Sequence, residues 1–232
     1  MSDFKSALIV GAGNGLSASL ARLLAGEGLR VGLAARDVAK LRDLAQATGA
    51  VTAACDAADA EQVAALFVAM DERLGGPPDI VIYNASGRAR GPFVDLEPAA
   101  VQNALAVGAF GGFLVAQQAA LRMLPRGRGA ILLTGASASV KGYKQSAPFA
   151  MAKFALRGLA QSMARELAPH GIHVAHFVID GAIRNPGRVE APDAPDSMLD
   201  PDAIARSYLH VIRQDRSAWT WEMELRPWVE TF

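Results

Sequence analysis

Short apolar runs alternate along this chain with longer segments in which apolar residues recur at every third or fourth position. Most of the runs lack polar alternation, which is typical of parallel strands that are covered on both faces. The runs span residues 7–11, 30–35, 51–56, 79–84, 130–134 and 172–179. The helical periodicity lies between them and begins at Leu16, Val38, Val63 and Ala155. Repeated strand–helix units predict a doubly wound α/β fold, with helices on both faces of a parallel sheet.

A seventh strand is predicted near the C-terminus, at residues 219–228. Apolar and charged residues alternate there, so this strand should have one solvent-facing side. All three tryptophans of the chain lie in the same stretch. Two interpretations stay open for them, a packed terminal strand and a contact between subunits, because tryptophan is enriched in interfaces. The expected sheet therefore has seven strands.

The segment at residues 185–201 departs from the strand–helix rhythm. It contains four prolines and four acidic residues, which indicates a mobile surface excursion after the sixth strand. The Gly-Gly-Pro-Pro sequence at residues 75–78 indicates a turn, because the same rhythm continues beyond it. Residues 1–232 are therefore expected to form a single domain.

Composition narrows the class of protein. Lys and Arg number 23, as do Asp and Glu, so the formal net charge of zero gives no support for binding nucleic acid or an anionic membrane. A hydrophobic content of 51% excludes a disordered chain. The single cysteine, Cys55, excludes an internal disulfide. No segment offers a signal peptide or the roughly 18–20 apolar residues of a membrane span, so a cytoplasmic protein is expected.

Histidine and serine patterns indicate neither a metal site nor a hydrolase. His173 and His176 are three positions apart on a predicted strand and should point to opposite faces, which is poor geometry for metal binding. The Gly-x-Ser-x-Gly sequence of a nucleophile elbow is missing. No metal is therefore expected.

A glycine-rich turn joins the first predicted strand to the first predicted helix, with the sequence VGAGNGLS at residues 10–17. Glycines let the backbone turn sharply and approach a pyrophosphate closely. The start of the following helix supplies free N–H groups and a positive dipole end. The position of this turn within a strand–helix–strand unit predicts a dinucleotide site.

This glycine turn and several later motifs resemble those of the short-chain dehydrogenase/reductase family, and the resemblance covers nearly the whole chain. Gly11 and Gly15 match that family's Gly-x-x-x-Gly turn, with Ser17 in place of the usual third glycine. Residues 83–87 resemble its Asn-Asn-Ala-Gly element, and residues 165–174 its passage from helix to strand. The resemblance implies that Asp56 holds the adenine. The cofactor-binding residues that it implies are Gly11, Gly13, Asn14, Gly15, Leu16, Arg36, Asp56, Ala57, Asn84, Ala85, Lys153, Gly181 and Ile183.

The end of the second predicted strand bears on the choice of cofactor. An NAD site needs a carboxylate for the ribose hydroxyls, but Ala35 stands where it is expected, followed by Arg36. A guanidinium can bind a 2′-phosphate bidentately, which favours NADP. Asp37 could serve the ribose instead, which keeps NAD open, although it is better suited to cap the next helix.

The family's Tyr-x-x-x-Lys pair corresponds here to Phe149 and Lys153, so the proton-transferring hydroxyl is missing. The family's asparagine corresponds to Gly108. Lys153 can still bind the ribose of the nicotinamide. Ser137 and Ser139 are both candidates for the family's serine, and Tyr143 is a candidate replacement donor. A general acid contributes about 10²–10⁴-fold to rate, so its loss slows a reaction without abolishing it.

Two functions follow from these residues. One is an NADP-dependent oxidoreductase with an atypical site, which transfers hydride between the nicotinamide and a small carbonyl or activated alkene. The alternative is an NADP(H)-binding module without turnover, acting as a sensor or as support for a partner. The resemblance also implies a homodimer or homotetramer and a substrate lid within the excursion. The substrate itself is not encoded by any recognisable motif.

Overall fold

A parallel seven-stranded sheet forms the centre of the protein, whose computed structural model describes residues 4–230. The strand bounds are β1 Ser6–Val10, β2 Arg30–Ala35, β3 Val51–Ala54, β4 Ile80–Tyr83, β5 Gly129–Thr134, β6 Ile172–Ile179, β7 Ala182–Ile183, β8 Met198–Leu199 and β9 Glu222–Leu225. The large sheet has the order β3-β2-β1-β4-β5-β6-β9, and every neighbouring pair in it is parallel. The predicted doubly wound fold is confirmed.

Helices cover both faces of this sheet. Their bounds are α1 Leu16–Gly26, α2 Arg42–Thr48, α3 Ala60–Arg73, α4 Pro98–Leu105, α5 Gly111–Met123, α6 Ala147–Leu167 and α7 Pro201–Ile212. The helices α1, α2 and α7 pack on one face, and α3, α5 and α6 pack on the other.

Each central strand contributes side chains to two separate cores. In β1, Ala7 and Ile9 face the core beneath α1 and α7, whereas Leu8 and Val10 face the core beneath α3 and α5. All four side chains are buried. Successive residues of a strand point to opposite faces, so two covered faces require an unbroken apolar run. This requirement is the reason that the sequence located β1 to β6 within about two residues.

The C-terminal strand β9 is shorter than the predicted segment at 219–228 and pairs with the end of β6. Met223 and Leu225 pack against the core beneath α1 and α7, whereas Glu224 is exposed, so the strand has one covered side, as its alternating pattern indicates. The preceding Trp219 stacks on His173, with ring centres 4.5 Å apart. Trp228 lies on the surface, with 83% of its area exposed. Trp219 therefore packs within the fold, whereas Trp228 lies on the surface.

A long apolar stretch, Pro98–Arg126, was not recognised from the sequence. By length and composition alone it could cross a membrane, with a mean hydropathy of 1.6 over its most apolar 18-residue window, so the expectation of no such segment was wrong. It contains α4, a π-helical turn at Ala106–Phe110, and α5. Gly112 brings this stretch against Tyr83 and Leu156, and its buried side forms part of the helical layer on the sheet.

The excursion after β6 is shorter than its predicted span of 185–201. Ala182–Ile183 and Met198–Leu199 pair in parallel and close the base of the loop between them. Pro201 is already the first residue of α7, where Asp200 accepts hydrogen bonds from the backbone N–H groups of Asp202 and Ala203. The structure thereby holds the C-terminal end of the segment in a second, small sheet.

Candidate active site and nucleotide crevice

A cavity of about 660 Å³ opens beside the carboxyl ends of β1, β2, β3 and β4. We call it the nucleotide crevice. It lies where the chain reverses its direction of travel across the sheet, between β1 and β4, which is the usual ligand position in such folds. Predicted cofactor residues on its wall are Gly11, Arg36, Asp56, Ala57, Asn84 and Ala85.

The glycine turn between β1 and α1 is held tightly against the end of β4. Gly11 has a φ of +84°, and a side chain there would overlap the backbone nitrogen of Ala85. The Ser17 hydroxyl donates to the Gly11 carbonyl over 3.2 Å and accepts from the Asn84 amide over 2.7 Å. Ser17 therefore links the turn to β4 at the position where the resembled family has its third glycine.

The far end of the nucleotide crevice carries Arg36 and Lys40 on its wall. Asp37 is engaged locally, because its carboxylate accepts from the Ala39 N–H over 3.0 Å and lies 3.3 Å from Lys40 Nζ. The predicted helix cap at Asp37 is confirmed. Asp56 accepts from the Ala58 N–H over 3.0 Å, which orients its carboxylate at the rim.

A second, inner cavity of about 250 Å³ adjoins the nucleotide crevice. Asn84 and Ser86 line both spaces, so the two lie side by side along the sheet edge. Predicted site residues on the inner wall are Gly15, Leu16, Asn84, Lys153, Gly181 and Ile183. Gly13 and Asn14 line neither cavity. They lie in the glycine turn between Gly11, on the wall of the nucleotide crevice, and Gly15, on the wall of the inner cavity.

Lys153 is the buried cation of the inner cavity. Its side chain lies on α6 and is only 3% exposed, and Nζ donates to the Thr134 carbonyl at the end of β5 over 2.7 Å. The Thr134 hydroxyl is hydrogen-bonded in turn to Tyr208 of α7 over 2.9 Å. Burial, assisted by the positive charge of Arg88, lowers the pKa of Lys153 to about 7. This ammonium can therefore exchange a proton near neutral pH.

Phe149 lies one helical turn before Lys153 and also lines the inner cavity. The centre of its ring is 5.9 Å from Lys153 Nζ and 4.7 Å from Cζ of Arg88. The ring offers no hydroxyl, so position 149 contributes an apolar wall and a cation–π surface.

The candidate hydroxyl groups are not brought to the inner cavity. Tyr143 is 47% exposed outside its wall, and Ser137 and Ser139 lie in a 3₁₀ turn that directs them elsewhere. The residues that face the cavity after β5 are Gly135 and Ala136. Sequence reasoning missed Ala136 because the turn geometry decides which of residues 135–139 faces inward.

Ser139 belongs instead to a buried polar chain behind Gly135. Its hydroxyl lies 3.3 Å from Nε2 of His176, and Nδ1 of His176 lies 3.1 Å from the Glu222 carboxylate. Burial lowers the pKa of His176 to about 4, so its ring is neutral at pH 7. Ser139 has no exposed surface and lines neither cavity, so this serine–histidine–glutamate chain serves packing and not nucleophilic attack.

Gly108 lies in the π-helical turn, packed against α6. A Cβ atom there would come within 2.6 Å of the Ala152 Cβ, so this close approach requires a residue without a side chain. No polar group therefore reaches the inner cavity from position 108.

Two arginines on the inner wall were not anticipated. Arg88 follows the Asn84–Gly87 element directly, and Arg188 lies in the excursion. Sequence position gave a signal for Arg88, which shares a loop with the predicted Asn84. It gave none for Arg188, because the path of the excursion depends on the β7–β8 pairing. Among residues 4–230, no group of three or more metal-binding side chains occurs.

Comparison with known proteins agrees with this geometry. The family model described as short chain dehydrogenase matches residues 5–191. The chain belongs to the short-chain dehydrogenase family. Sorbitol-6-phosphate 2-dehydrogenase of Escherichia coli (strain K12) is 30% identical over 189 residues, which cover 78% of this chain and 72% of that protein.

Two solved structures share the fold of this chain along nearly its whole length. One is a short-chain dehydrogenase from Rhodopseudomonas palustris, 34% identical, with a TM-score of 0.82 over 97% of this chain and 99% of that one. The other is a single-substitution variant of actinorhodin polyketide ketoreductase with NADPH, 25% identical, with a TM-score of 0.87 over 98% and 97% of the two chains. The family is one of oxidoreductases.

Proposed function

We propose that this member of the short-chain dehydrogenase family is an NADP(H)-dependent oxidoreductase acting on a small carbonyl or activated alkene. The observation that carries the proposal is the adjacency of the two cavities, which share Asn84 and Ser86, with Gly11 on the wall of one and Lys153 on the wall of the other. A dinucleotide needs an extended site of this kind along the carboxyl edge of the sheet.

The residues present fit this cofactor. The glycine turn brings the backbone of Gly11 to the wall of the nucleotide crevice, in a conformation with φ of +84° that glycine adopts without strain. Arg36 and Lys40 supply positive charge for a 2′-phosphate, and NAD stays open because Asp37 shares the same wall. Asp56 and Ala57 would border the adenine, and Lys153 would donate to the nicotinamide ribose. When bound, the nicotinamide supplies hydride chemistry.

The substrate would meet an atypical set of groups. Phe149 would exclude water and shape the pocket, while the Lys153 ammonium, with its pKa of about 7, or a water bound to it would deliver the proton. The hydroxyl groups of Ser137, Ser139 and Tyr143 are less suited to this role, since they are off the inner wall. A slow enzyme is therefore expected.

The alternative, an NADP(H)-binding module without turnover, is favoured by one specific observation. Positions 108, 136 and 149 carry glycine, alanine and phenylalanine, so the inner cavity lacks hydroxyl and amide groups at all three. Retention of Lys153 and of the glycine turn serves cofactor binding in either function.

The excursion and the helical surface support two further proposals. Asn185 and Arg188 line the inner cavity, which supports the excursion as a substrate lid within one domain of 232 residues. Exposed apolar side chains cluster on the π-helical turn, α5 and α6, which supports a homodimer or homotetramer. These side chains are Phe110, Phe113, Leu121, Met151 and Phe154.

The test is NADPH binding followed by turnover. Fluorescence titration should show saturable NADPH binding that weakens in Lys153→Met and not in Lys144→Met, which removes an exposed lysine of the loop before α6. NADPH oxidation is then followed over a panel of ketones, aldehydes and enones. Binding with slow turnover supports the oxidoreductase, and binding with no turnover of any substrate supports the module. The absence of NADPH binding contradicts both.

A further inference from the structure

The inner cavity is strongly one-sided in charge. Its wall includes Arg88, Lys153 and Arg188, and none of its lining residues is acidic. The chain as a whole has equal numbers of acidic and basic residues, so three basic side chains without an acidic one around 250 Å³ are a local feature. A cavity lined by one sign of charge raises the local concentration of ligands of the other sign.

Several arginines of the fold are held in ion pairs, and Arg88 is not one of them. Arg122 pairs with Asp71 and Arg157 with Glu222, each over 2.7 Å. Within residues 4–230, the Arg88 guanidinium has no carboxylate partner, and its close contact is the ring of Phe149. A ring contact uses none of the five N–H donors, so they stay available for a ligand.

The surroundings of Arg88 also make a bound anion favourable. Partial burial, and then the positive charges of Arg90 and Arg188, lower the pKa of Arg88 from its ordinary value. Such like-charge repulsion costs free energy in the empty cavity, and an anion between the cations would relieve it. The same charge also contributes to the lowered pKa of Lys153, so Arg88 and Lys153 act on one small space.

We infer that the substrate of this protein is a small carboxylate, whose carboxylate group is bound by Arg88 with support from Arg188. Arg88 lies over Phe149, at the position where the resembled family has its catalytic hydroxyl, so a carboxylate on its fork would lie beside the reacting part of the site. Guanidinium and carboxylate match as a bidentate pair. The small volume favours a carboxylate over a bulkier phosphoester. This inference rests on the proposed function, because it concerns the substrate of the same site.

The experiment measures binding and not activity. Calorimetry on the NADP⁺-saturated protein, which holds no hydride to reduce a probe, uses three carboxylate probes, oxamate, 2-oxoglutarate and phenylglyoxylate, each beside its methyl ester. At least one acid should bind more tightly than its ester. Arg88→Gln should weaken that acid roughly 10- to 100-fold. NADPH affinity should stay within about twofold, which also verifies that the variant is folded.

The matched control is Arg90→Gln, which makes the same charge change two residues away, outside the cavity wall. It should weaken the acid less than Arg88→Gln does, because Arg90 acts on the cavity only through its charge. Arg88→Lys should give an intermediate loss, because it keeps the charge without the planar fork. Arg188→Gln should weaken the acid more than it weakens NADPH.

Several results would overturn the inference. They are equal binding of every acid and its ester, equal losses in Arg88→Gln and Arg90→Gln, or tighter binding of glycerol 3-phosphate than of all three acids. In each case intact NADPH binding leaves the proposed oxidoreductase standing. Loss of NADPH binding in the unmodified protein would instead show that the proposed function itself has failed.

Discussion

Phe149 and Lys153 lie one turn apart on α6, with the lysine Nζ 5.9 Å from the centre of the phenylalanine ring. This spacing gives both side chains the same wall of the inner cavity. The Lys153 ammonium therefore lies beside the apolar ring of Phe149. A tyrosine at position 149 would bring a hydroxyl group to the same cavity wall. Under the proposed function, Lys153 would keep its contact with the cofactor although position 149 offers no proton.

Restoring a hydroxyl beside Lys153 should restore carbonyl reduction. Phe149→Tyr is expected to raise kcat for ketone reduction by about 10²-fold or more, because a positioned general acid contributes about 10²–10⁴-fold. Adding Ala136→Ser should increase the gain, since position 136 faces the cavity. Steady-state NADPH oxidation with a ketone panel measures both effects.

Phe154→Tyr is the matched control, since it adds the same hydroxyl to an exposed position of α6. It should change nothing. If Phe149→Tyr binds NADPH normally and gains no activity, the inner cavity itself has diverged from carbonyl reduction.

Arg36 is expected to select NADP(H) over NAD(H). Arg36→Gln should raise the Kd for NADPH by roughly 10- to 100-fold, because a charge-assisted hydrogen bond to the 2′-phosphate is lost. The Kd for NADH should stay the same. Fluorescence titration of both cofactors tests this, with Arg42→Gln at the start of α2 as a control outside the crevice wall. Equal losses for both cofactors would contradict a role in selection.

The glycine turn offers a direct comparison of two glycines. Gly11→Ala should lower the free energy of unfolding by about 2–4 kcal/mol, because φ is +84° and the new methyl overlaps the Ala85 backbone. Gly13→Ala should change it by less than about 0.5 kcal/mol, since no atom lies within 4 Å of the added Cβ. Urea unfolding measures both, and similar values for the two variants would refute this packing.

His176 should make stability depend on pH. Burial lowers its folded pKa to about 4, whereas an unfolded histidine has a pKa of about 6.5. The unfolded chain therefore binds the proton first, so this contribution to stability is complete above about pH 6.5 and is lost as the pH falls toward 4. The expected loss is about 1.4 kcal/mol per pH unit within that window.

Urea unfolding at pH 7.5, 6 and 5 measures this slope. His176→Gln, which cannot take up a proton, should flatten it, whereas His210→Gln removes an exposed histidine and should leave it unchanged. An unaltered slope in His176→Gln would show that another group carries the dependence.

Parts of the site followed from local sequence, and parts did not. The glycine turn, the cap at Asp37 and the Phe149–Lys153 pair could be predicted, because each depends on residues close together in the chain. Ser137 and Ser139 were candidates by spacing, yet the 3₁₀ turn directs Ala136 to the cavity instead. Residue spacing does not encode which way such a turn rotates its side chains.

The sequence by itself determined the alternation of strands and helices, because two covered faces demand continuous apolar runs and helices demand a period near 3.6. It also predicted a sharp glycine turn at Gly11, which the structure shows with a φ of +84°. Only the tertiary structure decided that Arg88 and Arg188 line the same cavity as Phe149, since the two arginines are 100 residues apart in the chain. Their positions on one wall depend on the order of the strands in the sheet and on the path of the excursion. No local sequence pattern predicts the strand order or that path.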